Sequence, residues 1–181
     1  AAMSKLVDNV REALTLEQPL CPSNFTGIYL KIGWNYNADT YCINSLSVRF
    51  DIVEDYPDEP DWRSPYADGS FPEKFGKIID FMESKKTELK GASDVKTLEN
   101  IRDFLFKTLT YDPAVSDPSP GKKECVYDHD LHCLIHEDDS TSTKGKNYAV
   151  CEGYSKAFMA FCQMMDIDCI METGIAVQTS G

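Results

Sequence analysis

Residues 147–166, NYAVCEGYSKAFMAFCQMMD, constrain the fold more than any other stretch of the chain. At helical spacing Val150, Tyr154, Ala157, Phe158, Phe161, Cys162 and Met165 form one apolar stripe, while Glu152, Ser155, Lys156 and Gln163 fall off it. The pattern predicts an amphipathic helix with Cys151 in its first turn. A thiol there sits among backbone N–H groups that lack a partner within the helix, at the positive end of the helix dipole, so a thiolate is stabilised. A cysteine in an arbitrary sequence is more often a small apolar core residue, and the surrounding chain has to decide between the two.

Upstream, Leu6, Val7, Val10, Ala13 and Leu14 predict a short helix over Ser4–Leu16 with Ser4 as its cap. Phe25–Trp34 and Tyr41–Val53 carry strand chemistry, the second run alternating Leu46, Val48, Phe50 and Ile52 with Ser47, Arg49 and Asp51. Asn35–Asp39 between them predicts a turn, hence a β-hairpin. Glu54–Pro72 holds four of the nine prolines among many acids and predicts a linker, with Trp62 pinning it to a neighbouring surface. Pro72 opens a second helix with Phe75, Ile78, Ile79, Phe81, Met82 and Leu89 on one side, closed by Gly91. Ser93-Asp94 caps a third, expected through Thr110, with Val95, Leu98, Ile101, Phe104, Leu105, Phe106 and Leu109 as a wide apolar face. Two surface loops, Ala114–Lys123 and Ser140–Gly145, flank a polar cluster. In that cluster Cys125, His129, His132, Cys133 and His136 stand among several acids, a composition that can bind zinc, although no second ligand pair follows at finger-like spacing. The favoured expectation is a short helix with Leu131, Leu134 and Ile135 inward, the histidines facing water and no metal.

The chain is long enough for one domain with a small appendage. Its formal charge of −12 repels nucleic-acid phosphates, and no apolar run approaches the length of a membrane span. The opening Ala-Ala-Met-Ser has neither a basic nor an apolar leader region. Seven cysteines leave at least one unpaired in a monomer, as a thiol enzyme requires.

The segment YAVCEGYSKAFMAFCQMMDIDCIMETG resembles the core motif of the transglutaminase-like, papain-related thiol enzymes, in which a VCEGY-type segment opens the helix bearing the nucleophile. The resemblance aligns Cys151 with that nucleophile and Asp166-Ile167-Asp168-Cys169 with the following helix-to-strand step. Asn100–Asp112 resembles the helix that precedes the cysteine segment, with packing as its role. The implied fold is α+β: a helix-and-hairpin region with its acidic linker over residues 1–72, then a transglutaminase-like core over 73–181 whose C-terminal catalytic strands are missing. The family places a histidine and an aspartate on strands after the cysteine helix, whereas His129, His132 and His136 all precede Cys151. Both partners are therefore expected beyond Gly181, after the connector Ile175–Gly181, or from a partner chain.

The implied activity is attack of Cys151 on a protein or peptide amide to form a thioester, which passes to an amine or to water without any cofactor. A backbone N–H at the helix start, with Tyr148 or Asn147 nearby, is the candidate oxyanion donor, and Gly153 the candidate for close approach of substrate or a packed strand. Glu152 reads as a first-turn acid that suits the dipole and opposes the thiolate. The competing class is a non-catalytic binding or adhesion module of the same fold, secreted or on a cell surface; a zinc-stabilised structural domain is a third.

Overall fold

The computed structural model describes residues 2–16, 18–40, 42–52, 64–112, 127–136, 146–172 and 174. The linker at 54–63 with Trp62, the loops at 114–123 and 140–145, Cys125 and the connector from 175 lie outside the described residues. The chain is mixed α+β. Helix α1 (Ala2–Leu16) and a 3₁₀ turn (Pro22–Asn24) lead into the antiparallel hairpin of β1 (Ile28–Tyr36) and β2 (Ile43–Ile52). Helices α2 (Phe71–Leu89) and α3 (Asp94–Thr108) follow, then β3 (Leu109–Tyr111), a 3₁₀ turn (Leu131–Leu134), β4 (Asn147–Ala149) and α4 (Cys151–Met164). Among the described residues no helix is long and apolar enough to cross a membrane.

Local chemistry sets most boundaries. Ser93 caps α3, its hydroxyl accepting from Lys96 N at 3.2 Å, a contact worth about 1 kcal/mol. Asn100 Nδ2 donates to Leu89 O, satisfying a carbonyl at the end of α2 and fixing the α2–α3 corner. Proline sits in the first turn of α2, where its missing N–H costs nothing. Two helix boundaries differ from expectation, and the turn expected at Asn35–Asp39 starts only after Tyr36, where β1 ends. Helix α1 begins at Ala2, so Ser4 lies within its first turn rather than at its cap. Helix α3 stops at Thr108, because Leu109-Thr110-Tyr111 extends to pair with β4 in parallel, Leu109 opposite Asn147 and Tyr111 opposite Ala149. Those residues favour strands, and the position before Pro113 disfavours helix.

One apolar core contains Ile78 and Met82 of α2, Ile101 and Leu105 of α3, and Ala157, Ala160, Phe161 and Cys162 of α4. Phe25, Ile28 and Tyr66, from before residue 72, share that cluster, with Phe25, Tyr66 and Phe71 meeting edge to face at ring separations of 5.1–6.1 Å. Full burial of each large side chain contributes about 1.5–3 kcal/mol. The apolar face of α3 is narrower than its sequence predicts: Val95 and Phe106 are exposed, since one stripe meets the core and the flanks do not.

Candidate functional site

Strand β4 delivers the chain directly into α4, and Cys151 is the first helical residue. Main-chain bonds fix this junction. Asp112 N donates to Ala149 O at 3.2 Å and Val150 N donates to Asp128 O at 3.0 Å. Val150 supplies no side-chain cap, so the first-turn N–H groups receive none from that position. Gly153 is required here: a Cβ would lie 2.1 Å from Asp128 O and 3.3 Å from Ala149 Cβ. The close approach it permits is thus that of the 127–130 turn. Half of α4 is buried, including Met159, Ala160, Phe161 and Cys162, but Cys151 is exposed. Ser155 Oγ donates to Cys151 O at 2.8 Å, as a one-turn side-chain bond.

The acid beside the thiol is neutralised by two cations or donors. Glu152 Oε2 lies 3.0 Å from His129 Nδ1, and Glu152 Oε1 lies 2.7 Å from Lys156 Nζ. The His129 contact and then Lys156 hold the Glu152 carboxyl down at about 2 against the opposing effect of burial. The repulsion that a bare carboxylate would exert on a neighbouring thiolate is offset accordingly. Lys156 does more than pair: it is buried, and its ammonium donates to Asn24 O at 2.7 Å and His129 O at 3.1 Å. The helical pattern places Lys156 off the apolar stripe, and the structure instead buries it as a strut among three segments. Its spacing of four from Glu152 is the one trace of this in the sequence.

The polar cluster is also more interior than expected. Asp130 is buried and accepts from Thr26 N at 3.0 Å, Tyr66 OH at 2.9 Å and His132 N at 2.7 Å. Burial raises its carboxyl above the usual range despite those donors. His132 does not face water: it is buried against Tyr127, ring centroids 4.1 Å apart, and burial followed by the His136 charge pushes it down to about 4. His136 also stacks on Tyr127, whereas His129 points both ring nitrogens at carboxylates, Glu152 and, at 3.6 Å, Asp128. Among the described residues no three His, Cys, Asp or Glu side chains are arranged to hold a metal ion. The candidate oxyanion residues are occupied structurally: Asn147 Nδ2 donates to Cys133 O at 3.0 Å, and Tyr148 is buried.

An open groove of about 350 Å³ runs along α4 beyond Cys151, with Phe106, Tyr154, Ser155, Phe158 and Ile170 on its walls. Among the described residues Cys21, Cys42, Cys151, Cys162 and Cys169 are free thiols. Burial, and then its neighbour Cys169, pushes the Cys162 thiol up to about 12, which makes it inert beside the exposed Cys151. No family model, curated protein or solved structure matches the chain.

Proposed function

We propose that this chain carries the nucleophile half of a transglutaminase-like, papain-related thiol enzyme acting on protein or peptide amides. The observation that supports it is an exposed thiol at the first residue of a helix whose inner face is buried in the core, entered directly from a strand. In this reading the Cys151 thiolate adds to an amide carbonyl, the oxyanion draws on first-turn N–H groups, and the amine leaves with the proton taken from the thiol. The resulting thioester passes to an amine or to water. In this reading the groove along Tyr154 and Phe158, which begins one helical turn on from Cys151, receives the substrate chain. This reading also requires a histidine that moves the proton and an acid that orients it. Neither His132, packed on Tyr127, nor His129, paired to Glu152, is placed for that role.

The test is residue-resolved alkylation by iodoacetamide, followed by mass spectrometry across pH 6 to 9. Cys42 is also exposed and supplies the accessibility reference. Cys151 is expected to outrun Cys42 by about tenfold near neutral pH, because only Cys151 stands at a helix start. Equal rates would remove the nucleophile and leave the non-catalytic binding module as the reading that stands.

A further inference from the structure

The hairpin is two-faced. Its register sets Leu30 opposite Phe50, Ile32 opposite Val48 and Trp34 opposite Leu46, all on one face, and Tyr36 opposite Ile43 extends the ladder past a bulge. The other face pairs Tyr29 with Asp51, Lys31 with Arg49, Gly33 with Ser47 and Asn35 with Ser45, and Lys31 and Arg49 both bind Asp51. Only the base of the apolar face reaches the core, through Ile28 and Ile52. Further out it meets water: Trp34 is 41% exposed, Leu46 45%, Val48 42% and Phe50 39%. A two-stranded ribbon is marginal alone, and a continuous apolar ladder of this kind marks an interaction surface.

We propose that this face is a homodimer interface, two copies packing their hairpins face to face about a two-fold axis. Size and charge both select a second copy. With side chains of about 150–250 Å², the exposed fractions of these four residues, Tyr36 and Ile43 leave roughly 500 Å² of apolar surface per copy. Two such faces remove roughly 1,000 Å² from water, which reaches the lower bound of specific interfaces. The chain carries −12, so copies repel through most of their surface. Residues 28–52 are neutral, with Lys31 and Arg49 against Asp39 and Asp51, and the apolar face itself bears no charge. A ladder of Leu, Ile, Val, Trp and Phe complements itself and offers a differently charged partner nothing to select.

Sedimentation equilibrium of the 181-residue chain, 20.4 kDa, tests this at about 100 µM and physiological salt. The expected result is a mass twice that of one chain, with dimerisation weakened at least about tenfold by Leu46→Glu with Val48→Glu and unchanged by Ser45→Glu on the polar face. A wild-type monomer at that concentration overturns the proposal, as does a dimer that survives the double substitution. Hydrogen exchange of the unaltered protein supplies a readout independent of variant folding. Amides of residues 30–34 and 46–50 gain protection as concentration rises if the interface exists; protection that stays constant overturns it.

Discussion

Gly153→Ala adds one carbon where the structure has no room for it. The new Cβ would stand 2.1 Å from Asp128 O and 3.1 Å from Asp128 C, both backbone atoms that cannot rotate away. Overpacking of this kind costs about 1–3 kcal/mol. Moving Asp128 O also stretches the 3.0 Å bond from Val150 N, worth about 1 kcal/mol. Alanine returns about 1 kcal/mol through its helix propensity, so the net loss is about 1–3 kcal/mol. In a domain of this size that lowers Tm by about 3–10 °C. The matched control is Gly76→Ala within α2, where nothing lies within 4 Å of the added carbon. There propensity acts alone, and the variant gains about 0.5–1 kcal/mol. Calorimetry and urea unfolding on both variants give opposite signs for the same chemical change. A Gly153→Ala protein that melts at or above the wild-type temperature would refute the backbone contact that fixes the start of α4.

Lys156→Met removes the donor to the Asn24 and His129 carbonyls and leaves Glu152 with His129 as its remaining contact of the two, so urea unfolding should report a loss of about 3 kcal/mol; a loss under about 1 kcal/mol would show the strut to be decorative. His132 titrates at about 4 when folded against 6.5 in the unfolded chain, so the unfolded state takes up a proton that the folded state refuses between those values. Stability therefore falls by about 3 kcal/mol as pH drops from 6.5 to 4. His132→Phe keeps the contact with Tyr127, removes a ring nitrogen that has no hydrogen-bond partner among the described residues, and should flatten that slope, while the Glu152 contribution below pH 4.5 persists. Parallel stability curves for variant and wild type between pH 7 and 4.5 would overturn the assignment.

Elements whose causes are local could be read in advance. Ser93 caps α3 because a hydroxyl three residues before an amide is a property of sequence, and Val48, Phe50 and Ile52 alternate because a strand does. What escaped depends on partners far along the chain. Leu109-Thr110-Tyr111 leaves the helix because β4 arrives beside it 38 residues later by register. His132 goes inside because Tyr127 and Tyr66 enclose it, and a periodicity of apolar residues cannot place a polar ring. The thiol's position was legible from helix spacing, whereas the pairing of Glu152 with both Lys156 and His129 was not, since His129 lies on another segment.

The Lys156 strut has a consequence for the order of events during synthesis. Its acceptor Asn24 lies 132 residues earlier, and Asp130 holds Thr26 across 104. At about 5–20 residues per second, the ribosome emits Asn24 about 7–26 s before the lysine that anchors it. During that interval Phe25 and Ile28 have no finished core to enter, so the amino-terminal region is the last to settle and the first exposed to chaperones. High contact order of this kind slows closure, and folding of the full chain should be limited by the docking of its earliest-made segment.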